Sequence, residues 1–173
     1  MFWYECLDEK VKEYLPDLKL ACDEPMSRQT SFHIGGPAKR MAFPASRAQA
    51  VLLAHFAREC GARALVLGNG TNLLTADEGL DLLAINLSQS LTSIRRTGEC
   101  LIEADAGGSL ARLADFARKA SLTGLEFAHG IPGSLGGGVC MNAGAYGGGK
   151  CAVGGVGTGP FSRRGRAPIG DGR

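Results

Sequence analysis

The chain has 173 residues, 45% of them hydrophobic and 21% charged, with a formal net charge of +2. That balance supports a globular core, and no apolar run approaches the roughly eighteen residues needed to cross a bilayer. The charge is unevenly placed: Lys150, Arg163, Arg164, Arg166 and Arg173 lie beyond position 149 with one acid, Asp171, which leaves residues 1–149 at −2. A body of that sign has no field to attract nucleic acid, so neither nucleic acid nor membrane is an expected partner. The N-terminus lacks the small-residue cleavage site of a secretory signal, and a cytoplasmic protein is expected. Cys6, Cys22, Cys60, Cys100, Cys140 and Cys151 show no CxxC or paired-ligand spacing, which predicts reduced thiols and no metal.

Leu7, Val11, Leu15 and Leu18 recur at helical steps, and Pro16 should end that helix. "MSRQTSFHIGGPAKRMAF" then turns extended, with a turn at Gly35, Gly36 and Pro37 and a short strand at "RMAF". "SRAQAVLLAHFAREC" predicts a second helix. Ser46 and Gln49 form its capping box, Ala48, Val51, Leu52 and Phe56 its apolar face, and Gly61 its stop. His55 is placed on that face as a core residue. "RALVLGNGTNLL" reads as a buried strand entering a glycine turn, followed by strands at "DLLAINL", "LTSIRR" and "CLIEADAG". Ser109 caps a third helix with Leu110, Leu113, Ala114 and Ala117 on one face. The pattern is mixed α/β or α+β, in two lobes meeting near residue 87. From Lys150 onward, seven glycines and two prolines with no sustained period predict a disordered tail.

Two glycine-rich stretches carry the chemistry. Gly68 and Gly70 follow an apolar strand, where short side chains let backbone N–H groups wrap an anion such as a diphosphate, and Asn69, Thr71 and Asn72 add donors. A plain tight turn explains the same residues. Residues 130–149, "GIPGSLGGGVCMNAGAYGGG", hold nine glycines in twenty, fitting either close approach of a ligand or tight backbone packing. A phosphate-binding P-loop is excluded at Gly144, Gly149 and Lys150, since Cys151 stands where a magnesium-holding hydroxyl is required. His33 and His129 flank glycine turns, positions open to a ligand, but no nucleophile–histidine–acid set can be assembled.

"TSFHIGGPA", "LVLGNGTNLL", "GLEFAHGIPGSLGG" and "MNAGAYGG", in this order and spacing, closely resemble the UDP-N-acetylenolpyruvoylglucosamine reductases, also called UDP-N-acetylmuramate dehydrogenases. The likeness covers about residues 26–149. It implies an α+β FAD-binding domain of the PCMH (vanillyl-alcohol-oxidase-like) type. An N-terminal helical segment (1–25) would precede two subdomains (26–86 and 87–149, the second incomplete) and an atypical tail (150–173). It further implies that Gly68, Asn69, Gly70, Thr71 and Asn72 wrap the FAD diphosphate. Gly130, Ile131, Pro132, Gly133, Ser134 and Gly136 would lie along the cofactor, with Asn142, Gly144, Ala145 and Tyr146 bordering it. The activity implied is reduction of UDP-N-acetylglucosamine enolpyruvate by NADPH through non-covalent FAD, in peptidoglycan precursor synthesis. The family's Tyr-Arg-x-Ser motif and its C-terminal serine and glutamate are not matched, so no catalytic residue carries over. The tail reads as a frame-shifted or truncated ending. The chain is thus expected to be a catalytically incomplete flavin-binding part, a flavin module acting with another chain, or a non-functional truncated product.

Overall fold

The computed structural model describes residues 1–145, 148 and 149, and the predicted disordered tail lies outside them. The chain divides into two compact units, Met1–Ser90 and Leu91–Arg173.

The first unit opens with helix α1 (Trp3–Tyr14), which buries Leu7 and Val11 and stops at Leu15 before Pro16. Strand β1 (Lys19–Pro25) follows, which the periodicity did not predict because its charged residues mask any alternation. A 3-10 turn, Met26–Arg28, leads toward β2 (Pro37–Phe43), and α2 (Arg47–Glu59) then precedes β3 (Ala64–Leu67) and β4 (Leu80–Asn86). The sheet order is β1-β2-β4-β3. β1 and β2 pair antiparallel, whereas β4 is parallel to both β2 and β3. On one face Met41, Phe43, Ala84 and Leu67 pack with Met26. On the other, Arg40 reaches Asp8 of α1.

Several sequence expectations need correction here. The buried stripe of α2 is Ala50, Leu53, Phe56 and Ala57, while Ala48 and Val51 are exposed. The helix is apolar on more than one side, so period alone could not choose the face. His55 is consequently not a core residue; it is exposed and its Nε2 lies 3.0 Å from Glu59. Ser46 does cap α2, its Oγ accepting from Gln49 N–H, but the Gln49 side chain reaches back to the N–H of Ala45. Strand β3 is an edge strand with Val66 exposed rather than a buried one. Finally, Cys6 and Cys60 form a disulfide across a separation of 54 residues, correcting the reading of all six cysteines as thiols. Spacing rules could not see that α1 and α2 lie side by side.

The second unit pairs β5 (Ile94–Arg96) with β6 (Ile102–Ala104) and continues into α3 (Leu110–Lys119). The predicted face of α3 is the buried one: Leu110, Leu113, Ala114 and Ala117. Ser109 occupies the N-cap position, yet its side chain makes no capping bond. Leu110 and Ala114 form a core with Phe127 and Ala128 of a second 3-10 turn, joined by Ile131 and Leu135. A short helix α4 (Leu135–Cys140) and a two-residue ribbon, β7 (Gly144–Ala145) with β8 (Gly148–Gly149), complete the unit.

Candidate functional site

Because β3 and β4 run parallel, their C-terminal ends lie together, with Leu67 opposite Asn86. Crevices beyond the carboxyl ends of parallel strands are where such sheets hold ligands. Here the chain leaves β3 through Gly68 and Asn69, and a cavity of about 500 Å³ opens beside them. Its second wall is the segment 28–33, including Arg28, Thr30, Ser31 and His33, and its third is Asn86, Ser88 and Gln89. The cavity is an open, polar groove rather than an enclosed pocket. Arg28 makes no ion pair among the described residues, so its guanidinium is free to meet an anion.

The glycine turn is held by the neighbouring wall. Gly70 has φ +62°, and Ser31 N–H donates to its carbonyl at 3.1 Å. A Cβ at Gly70 would stand 2.1 Å from the Gln29 carbonyl oxygen. The close approach that demands glycine at this position is therefore Gln29 backbone. Gly68 and Asn69 line the cavity, whereas Gly70, Thr71 and Asn72 are not among its walls. His33, at φ +56°, is exposed along the same wall.

The other expected residues lie in the second unit, where packing and caps account for several. Ile131 packs into the α3 core. Ser134 is buried and caps α4 by accepting from Gly137 N–H. Gly136 donates to Ala106 O at 2.7 Å, and a Cβ there would meet the Ala106 side chain at 2.9 Å. Gly133 has φ +140° and Asn142 φ +48°. Gly130 is different: it is exposed, and among the described residues an added Cβ would meet nothing within 4 Å. Pro132 and Gly144 are exposed, Ala145 is half-buried, and His129 is exposed at the end of its 3-10 turn. Tyr146 lies outside the described residues.

A family model described as "FAD binding domain" matches residues 38–155. The chain belongs to that family. Over 143 residues it is 48% identical to a UDP-N-acetylenolpyruvoylglucosamine reductase of Caldanaerobacter subterraneus subsp. tengcongensis, covering 83% of this chain and 47% of that one. Among solved structures, the UDP-N-acetylenolpyruvylglucosamine reductase of Thermus caldophilus is 27% identical with a TM-score of 0.58, over 86% of this chain and 56% of that one. Cholesterol oxidase of B. sterolicum shares the fold alone, at 18% identity and TM-score 0.55, over 76% of this chain and 26% of that one. The expected α+β, PCMH-type FAD-binding fold is the fold of this chain. The chain spans about half the length of the reductases it resembles.

Arg28, Asn86, Ser88 and Gln89 were not among the residues expected from sequence. Arg28 sits just ahead of the recognised "TSFHIGGPA" stretch, and the other three carry no motif. The FAD-binding domain's cofactor fits these residues: a glycine turn, amide donors and a guanidinium without an ion pair among the described residues suit a diphosphate.

Proposed function

We propose that this chain is the FAD-binding part of a UDP-N-acetylenolpyruvoylglucosamine reductase and holds FAD without a covalent bond. The supporting observation is the cavity at the ends of β3 and β4, lined by Gly68, Asn69 and Arg28, which makes no ion pair among the described residues. In this reading residues 68–72 and Arg28 hold the diphosphate. Gly130, Ile131, Pro132, Gly133, Ser134, Gly136, Asn142, Gly144, Ala145 and Tyr146 border the same cofactor, with residues 26–86 and 87–149 as its two subdomains. FAD, when bound, supplies hydride transfer, while the protein supplies position and charge.

The whole enzyme would reduce UDP-N-acetylglucosamine enolpyruvate with NADPH, in the cytoplasm, for peptidoglycan precursor synthesis. Since this chain spans about half of its relatives, it is expected to bind flavin and to oxidise no NADPH alone. Titration of the purified chain with FAD, followed by flavin fluorescence, tests the first part. Saturable quenching is expected, with all yellow colour released by acid precipitation. No quenching, or colour retained on the precipitated chain, defeats the reading. NADPH oxidation with the enolpyruvyl UDP-sugar tests the second, and turnover by this chain alone would refute it.

A further inference from the structure

Behind the cavity runs a chain of side-chain hydrogen bonds with one direction. Asn86 is 3% exposed at the end of β4. Its Oδ1 accepts from the N–H of Ser88 at 2.9 Å and from the Ser88 hydroxyl at 2.7 Å. Its Nδ2 donates to Gln29 Oε1 at 3.1 Å, and Gln29 Nε2 donates to Glu24 Oε1 at 3.0 Å. A backbone N–H can only donate and an ionised carboxylate can only accept. The two ends therefore fix both amides in between, and neither can turn over without setting like atoms against each other.

This chain joins the cavity's walls. Ser88 belongs to one, Gln29 to another, and Asn86 lies across the strand pair from Leu67, just before Gly68. The Gln29 carbonyl is also the atom against which Gly70 packs. We infer that Asn86 is a positioning residue for the anion site, setting segment 28–33 against the glycine turn through a one-way relay from Ser88 to Glu24. The ligand in this inference rests on the flavin reading above; the relay does not.

Replacing Asn86 by aspartate keeps the shape but removes the donor. The new carboxylate faces Gln29 Oε1, and turning Gln29 over sets its oxygen against Glu24. Adding Glu24→Gln supplies a donor at the far end and lets the relay run in the opposite sense. Two readouts follow from the intact chain, its Asn86→Asp variant and its Asn86→Asp/Glu24→Gln double variant. One is exchange of the Ser31 amide without ligand, referred to Leu113 in the second unit; the other is FAD affinity by fluorescence quenching.

The single variant is expected to speed Ser31 exchange at least tenfold and weaken FAD at least tenfold. The double variant should restore exchange to within threefold and recover most of the affinity. Unchanged exchange in the single variant overturns the inference. So does equal damage in both variants, which would mean that added charge or lost stability acts instead of direction. If Asn86→Asp does not fold, Gln29→Met cuts the relay at a half-buried position, with the same expected gain in Ser31 exchange and the same overturning result. Rescued exchange in a chain that never binds FAD supports the relay and defeats only the flavin reading.

Discussion

Asp8 of α1 grips Arg40 of β2 through three contacts, Nε to Oδ1 at 2.8 Å, Nε to Oδ2 at 3.1 Å and Nη2 to Oδ2 at 2.6 Å. The Arg40 side chain is only 10% exposed, and its Nη1 donates to Lys39 O while the Tyr4 ring lies 4.9 Å away. Removing the carboxylate strands a buried guanidinium, which for fully buried pairs costs about 3–5 kcal/mol. Asp8 is itself 36% exposed, so water offsets part, and Asp8→Asn should cost about 2 kcal/mol. Urea unfolding checks this. The double change Asp8→Asn/Arg40→Met should cost less than Asp8→Asn alone, and a larger loss would contradict the account.

Two glycines at the proposed site should respond oppositely. Gly70→Ala forces a Cβ against Gln29 O at a positive φ, so it should destabilise the ligand-free chain by about 1–3 kcal/mol. Gly130→Val has open space and should leave the melting temperature unchanged while weakening FAD. A stable Gly130→Val variant with undiminished FAD affinity would remove Gly130 from the site.

Arg28→Ala should weaken FAD about tenfold or more, as expected for a charged hydrogen bond worth about 1.5–3 kcal/mol. The loss should shrink at high salt, because the exposed guanidinium is screened there. Affinity measured across a salt series separates this from a general loss of structure, which salt would not repair.

The Cys6–Cys60 bond closes a loop across 54 residues. By chain entropy, reduction should lower stability by about 4 kcal/mol. Urea unfolding with and without a thiol reductant measures it, and an unmoved midpoint would show that α1 is held without the bond.

Acid should loosen α3. Lys119 first, then Arg118, hold Asp115 from its ordinary 3.8 down to about 2. A depressed carboxylate contributes stability above its unfolded value and loses it as pH falls through the folded one. Exchange of the α3 amides, taken relative to the intrinsic rate of an unstructured chain at each pH, should therefore accelerate between pH 4 and 2, and Asp115→Asn should abolish that dependence. The same acceleration in the variant would assign the effect elsewhere.

The buried face of α3 was legible because its apolar residues occupy a single stripe. That of α2 was not, since "AVLLAHFA" is apolar nearly all round and only tertiary packing chooses Leu53 over Leu52. At the cavity, the turn itself was legible as glycine following an apolar strand, but only Gly68 and Asn69 of it are walls, and Gly70 answers to Gln29 backbone. The other walls were not legible. Arg28, Asn86 and Ser88 come from separate segments that meet only when β4 enters the sheet, and no local pattern records that meeting.

The position of β4 also sets an order of assembly. β2, α2 and β3 all precede it in the chain, yet β2 and β3 have no contact along the sheet until β4 lies between them. Before that they face a gap of about 10 Å, two strand spacings wide, with no backbone partner in it. On a ribosome, therefore, β3 can emerge long before it has anything to pair with, and the sheet closes only when residues 80–86 arrive. Ribosome-bound chains halted before Leu80 should show β3 amides unprotected, and chains halted well after Asn86 should show them protected. The cavity takes its form in that same late step, because the strand that closes the sheet ends in the residue beneath it.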